Sequence, residues 1–234
     1  MKVTSNRSTE QIEGPIAILA DIAGNLAALD AVLAACRHAG AGFIVAAGGI
    51  CHQGPEPLAV WERLLSVNAR LLRGPSDLAL ATVEPSSLRP RSAEDRRRAD
   101  SHKRVREALG ELILARLKRF PDLLRVELAS GSELAVMVGS PADPFTPFTH
   151  DMSDDELLSL LRDDSADVLV CGGSGLPFLR PLDGLTLVGA GSVGDSPDEH
   201  SPDGLRSAHF TLVLPTDDGL RVEPRWVQYR PASE

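Results

Sequence analysis

The chain is poor in the residues that usually announce a function. Aromatic side chains make up 4% of its 234 residues, so the core must be assembled mainly from Leu, Val, Ile and Ala. It has three cysteines, Cys36, Cys51 and Cys171, widely spaced and each in or beside an apolar run. An odd number at such spacings fits reduced, mostly buried thiols in a cytoplasmic protein better than a disulfide framework. No apolar stretch approaches the ~18 residues of a membrane helix. The first fourteen residues lack the apolar core of a secretion signal and read as a flexible tail. There is no Walker loop, no dinucleotide fingerprint and no nucleophile elbow. A net charge of -9 argues against a broad nucleic-acid surface, since Lys and Arg must neutralise phosphates there. A basic strip at Arg96–Arg98, Lys103 and Arg104 runs against that balance and reads as a solvated helix face.

What is present is an alternation of strand and helix. Ile16 to Ala20 is a continuous apolar run of the kind buried on both faces of a sheet. Leu26, Leu29, Val32, Leu33 and Cys36 recur at helical spacing up to about His38. Phe43 to Ala47 gives a second strand, Pro57 opens a second helix reaching about Asn68, and Arg70 to Arg73 gives a third strand. Strand, helix, strand, helix, strand predicts parallel pairing, with the loops at the carboxyl ends of the strands as the place for a site. Residues 83–98, rich in Pro, Ser and Arg, predict an exposed loop or lid, followed by a charged helix to about Phe120. The second half is β-rich, interrupted by a helix whose start carries the capping pair Ser153 and Glu156. Residues 15–230 are expected to form a single domain of two packed sheets with helices outside.

Five short segments stand at these strand ends: Asp21-Ile-Ala-Gly-Asn25, Gly48-Gly-Ile50, Gly74-Pro-Ser-Asp77, Val138-Gly-Ser-Pro141 and Gly172-Gly-Ser-Gly175. Their order and spacing resemble the calcineurin-like metallophosphoesterases, in particular the small prokaryotic phosphodiesterase branch. There the motifs read Asp-x-His, Gly-Asp, Gly-Asn-His-Asp, His-Gly-Ser-Pro and Gly-His-Thr-His. The resemblance implies a four-layer α/β/β/α sandwich of two mixed sheets flanked by helices. It also implies a phosphoester hydrolase using two bridged metal ions, which lower the pKa of a bound water towards ~7 and clamp the phosphate.

The matching positions do not carry that chemistry. The first carboxylate ligand matches Asp21, but its histidine partner matches Ala23, the bridging aspartate Gly49, and the asparagine ligand Pro75. The histidine acid matches Ser76, the mid-chain histidine ligand Val138, and the last two histidine ligands Gly173 and Gly175. One carboxylate does not hold a divalent ion against water at ordinary concentrations. The chain is therefore expected to need no metal or other cofactor, to have lost phosphoesterase activity, and to act as a pseudoenzyme by protein binding or scaffolding. Two alternatives are a residual metal-dependent phosphodiesterase or phosphatase with a rearranged site, and a metal-free sensor of a small phosphorylated ligand. The remaining cleft is expected to be lined by Asp21, Asn25, Gly49, Ser76, Asp77, Ser140 and Ser174, with backbone amides of Gly48-Gly49, Gly172–Gly175 and Gly191–Gly194 offering an anion-binding concavity. Asp21 and Asp77 can alternatively act only as caps. Cys51 and His52 are adjacent on the loop nearest this cleft, but neighbouring side chains tend to point apart.

Overall fold

Ile16–Leu19 (β2) is buried on both faces, and its alternation sorts the interior. Ala17 and Leu19 face a helical layer, while Ile16 and Ile18 face a second sheet. The computed structural model describes residues 5–8, 12, 14–128, 130–197 and 203–231. In it β2 pairs in parallel with β3 (Phe43–Ala47), which pairs in parallel with β4 (Arg70–Leu72). On its other side β2 is antiparallel to β10 (Arg206–Thr216), which is antiparallel to β11 (Gly219–Tyr229). These make a five-stranded sheet in the order β11-β10-β2-β3-β4.

The six-stranded sheet runs β1-β5-β6-β7-β9-β8. Its members are β1 (Ser5–Ser8), β5 (Leu123–Glu127), β6 (Glu133–Val138), β7 (Val168–Gly172), β8 (Pro177–Leu182) and β9 (Leu185–Ala190). Both sheets mix parallel and antiparallel neighbours.

Three apolar clusters give the layer order. One packs α1 (Leu26–His38), α2 (Pro57–Ser66) and α4 (Ala93–Leu117) on the five-stranded sheet, with Trp61 stacked on Phe120 at 5.8 Å. A second lies between the sheets, built from Ile16, Val45, Val136, Val170 and Val188 among others. The third packs α5 (Asp154–Leu161) on the six-stranded sheet through Leu157 and Leu161. The result is the expected α/β/β/α arrangement. All three cysteines are free and buried, and among the described residues no helix is long and apolar enough to cross a membrane.

Three local expectations need correction. Residues 5–8, expected within a flexible tail, form β1, which adds in parallel to the sheet edge with Ser5 opposite Leu123. Apart from Ile12 and Gly14, the rest of that stretch lies outside the described residues. The loop expected over 83–98 ends early. Ser92 Oγ accepts from the Asp95 amide and the Asp95 carboxylate accepts from the Ser92 amide, so this box starts α4 at Ala93. Finally, Pro75–Thr82 is a helix, α3, which the sequence signalled only through a proline at its first position.

Candidate functional site

The loops leaving β2, β3 and β4 lie against one another at the carboxyl edge of the five-stranded sheet. Asp21 takes a left-handed conformation (φ 50) and turns the chain sharply. Its amide donates to the Gly48 carbonyl at 3.1 Å, Ala23 donates to Gly49 at 2.7 Å, and Gly24 donates to Ile50 at 3.0 Å. These bonds zip the first two motif loops together.

Asp77 clamps the second loop to the third. Fully buried, it accepts from the amides of Gly49 (2.9 Å), Ile50 (3.0 Å) and Gly74 (2.9 Å). Burial pushes its carboxyl up while those amides pull it back. Asp77 thus caps α3 and staples a neighbouring loop, and it does not line an open cleft.

Asp21 turns its carboxyl to the floor of the cleft at these loop ends. One oxygen accepts from the Gly173 amide at 3.1 Å, so a main-chain N–H partners the one carboxylate at the matched ligand positions. Burial pushes this carboxyl up to about 7, with the Gly173 bond opposing and the charges of Asp77 and Asp195 adding to the rise.

Two of the positions matched to the other ligands, Gly49 and Val138, are closed rather than merely substituted, whereas Gly173 and Gly175 leave room for a Cβ. A Cβ on Gly49, which sits at φ +63, would fall 2.4 Å from Asp21 Oδ1 and 2.8 Å from Asp21 Cα. Val138 is buried, and its methyl groups press on the third and second loops: Cβ atoms built on Gly74 and Gly48 would lie 3.1 and 2.5 Å from them. Its isopropyl group stands where the resemblance places an imidazole. Among the described residues no group of three or more His, Cys, Asp or Glu side chains is arranged to hold a metal ion. One hydrogen-bonded carboxylate, with Ala, Gly, Pro and Val at the other matched ligand positions, does not fit a dinuclear centre.

A pocket of about 420 Å³ remains above Asp21. Of the seven cleft residues expected from the sequence, Asp21, Asn25, Gly49 and Ser76 line it; Asp77, Ser140 and Ser174 do not. Asn25 is largely committed elsewhere: Oδ1 caps α1 through the Ala28 amide, and Nδ2 donates to the Tyr229 hydroxyl at 2.9 Å. Ser140, almost fully buried, closes a turn with the Asp143 main chain. Ser174 Oγ is buried without a hydrogen-bond partner.

Five amides of the expected concavity are already bonded. Gly48 donates to Leu72, Gly49 to Asp77, Gly173 to Asp21, Val193 to Ala20 and Gly194 to Asp21. Sequence reasoning left Asp195 and Arg206 out of the cleft; both line the pocket, with His52 beside them. No local signal marks these two residues, because they reach Asp21 only through the sheet order. Cys51 is no nucleophile: its thiol donates to the Pro57 carbonyl at 3.4 Å, and burial pushes its pKa up.

No family model matches the chain, and no curated protein matches it. Among solved structures it is similar over 93% of its length to a hypothetical protein from Pyrococcus horikoshii OT3, covering 88% of that chain, with a TM-score of 0.77 at 23% identity. It is also similar over 92% of its length to a metallophosphoesterase from Sphaerobacter thermophilus, covering 89% of that chain, with a TM-score of 0.67 at 22% identity. At these identities the likeness is one of backbone, and together with the sheet order and the motif loops it identifies the fold as that of the calcineurin-like metallophosphoesterases.

Proposed function

We propose that this chain is a metallophosphoesterase-fold protein without hydrolytic chemistry, acting by binding, with a protein partner or scaffold role in place of turnover. The observation that carries this reading is the environment of Asp21. Its carboxylate is paired with the Gly173 amide, and the position of the bridging ligand has no room for a side chain. The reaction of this fold needs a water activated between two ions and a group to protonate the leaving oxygen. At the matching positions Gly49, Val138 and Ser76 supply neither ligand nor imidazole. Unpaired converging His and Asp groups would cost ~1–3 kcal/mol each; replacing them with Gly and Val lets the same loops pack on one another without metal.

The test is metal content after expression in manganese-supplemented medium, together with turnover of a bis-aryl phosphate. Less than stoichiometric metal, no turnover, and a melting temperature that a chelator leaves unchanged are expected. Two ions per chain with hydrolysis would overturn the reading.

A further inference from the structure

A second depression adjoins the Asp21 pocket and has the opposite electrostatic character. It holds about 270 Å³, lies between the turn at Leu88–Pro90 and the first turns of α4, and shares His52 with the pocket above Asp21. The cationic side chains Arg89 and Arg98 line it, with the imidazoles of His52 and His102. Leu88, Pro90 and Ala99 supply an apolar wall.

The ionic partners of these groups leave donors available. Arg89 uses Nη1 on the carbonyls of Ser86 and Leu88, at 2.7 and 2.9 Å, which leaves other N–H groups of its planar fork. Arg98 pairs with Glu94 in an exposed i,i+4 contact, which is worth little and is readily exchanged for a ligand. Asp95, the carboxylate on this wall, is held by the amides of Arg91 and Ser92 at the start of α4 and lies below its usual range. His102 donates Nε2–H to the Val83 carbonyl at 2.8 Å, which fixes the ring on this wall. Residues 89–104 carry seven Lys and Arg against three Asp and Glu, within a chain of net charge -9.

The Asp21 pocket offers an anion the reverse. Asp21 and Asp195 line it, and the amides of Gly48, Gly49, Gly173, Val193 and Gly194 are already bonded. Among its lining residues Arg206 is the one Lys or Arg, against Arg89 and Arg98 in the second depression. His52, on the boundary, is influenced by both sides: burial holds its pKa down, His102 and Arg98 push the same way, and Asp195 opposes.

We propose that the pocket between the Leu88–Pro90 turn and α4 binds a small organic anion, a phosphate or carboxylate on an apolar body, through Arg89, Arg98 and His102, with Leu88, Pro90 and Ala99 against the apolar part. The proposal rests on the metal-free reading above, because a dinuclear centre would draw the same anion to Asp21.

The test is calorimetric titration of the full chain with phenyl phosphate, benzoate and inorganic phosphate, at low and high salt. Expected is saturable binding of phenyl phosphate or benzoate that weakens with salt and exceeds that of bare phosphate. It should fall about tenfold in each of Arg89→Gln and Arg98→Gln, the effect of one lost charge-assisted hydrogen bond. Arg206→Gln, on the other pocket, should leave it unchanged, and the ring resonances of His52 and His102 should move on binding. The phenyl phosphate and benzoate arms separate the two anion types.

No binding of any probe would overturn the proposal. So would binding that survives loss of Arg89 and Arg98 but not of Arg206, and so would bare phosphate binding as well as its phenyl ester. Failure of the metal-free reading is seen separately, as bound manganese and hydrolysis.

Discussion

The motif loops of the two sheets have parted company. Those of the five-stranded sheet, at Asp21–Asn25, Gly48–Ile50 and Gly74–Asp77, are locked by main-chain bonds and by one buried carboxylate that serves three amides. Those of the six-stranded sheet, at Val138–Pro141 and Gly172–Gly175, reach across with one apolar side chain and one amide, while their serines do local work or none. In a dinuclear site metal ions would tie the two sets together. Here each set is satisfied mostly within itself, and the contact between them is Val138 packing and the Gly173–Asp21 bond. Loops at such a site keep their shape without ions only if their polar groups have other partners, and on the five-stranded side they have them.

Four substitutions can break or sharpen that contrast. The largest effect is expected for Gly49→Asp, which restores the bridging ligand in sequence. Its Cβ would meet Asp21 at 2.4 Å from a left-handed backbone; overpacking and backbone strain together should cost about 4 kcal/mol in chemical denaturation, and no manganese should be retained. Asp77→Ala comes next: three buried amides lose their acceptor, a loss of about 3 kcal/mol measured in the same way. Asp21→Asn should act in the other direction and only above acidic pH. The folded carboxyl is raised from 3.8 to about 7, so the native state holds a proton that the unfolded chain releases. Stability is then fullest below the unfolded value and is lost as pH rises through the folded one. Asparagine keeps an oxygen for the Gly173 amide and removes this loss, so thermal melts should show a gain of about 2 kcal/mol near pH 8, allowing for solvent screening at the pocket, and none near pH 4. The smallest effect belongs to the six-stranded side: Ser174→Ala deletes a buried hydroxyl that has no partner, and should be neutral or stabilising by about 0.5 kcal/mol in the same melts.

Much of the architecture could be read from the sequence because the signals were local. The two-faced apolar run of β2, the helical period of α1 and the Ser153–Glu156 box of α5 each state their structure within a dozen residues, and each is found where expected. α3 was missed because eight residues, opening on Pro-Ser-Asp, present no full apolar face. β8 was missed because Pro177 and Pro181 interrupt its strand pattern; pairing with β9 supplies what its own sequence does not. In the cleft, Asp21, Asn25, Gly49 and Ser76 were found because they lie on strand-end loops. Asp77, Ser140 and Ser174 lie on such loops too, but their side chains turn into packing, and loop position alone does not tell these cases apart.

The sequence by itself determined which ligand types the matched positions lack, since Gly, Ala, Val and Pro have no donor atoms in their side chains to give a metal in any conformation. Only the tertiary structure decided what took the place of that chemistry. The Val138 packing, the Asp21–Gly173 bond and the opposite charges on either side of His52 join residues up to 152 positions apart, and such pairings arise from strand order rather than from any local preference of the chain.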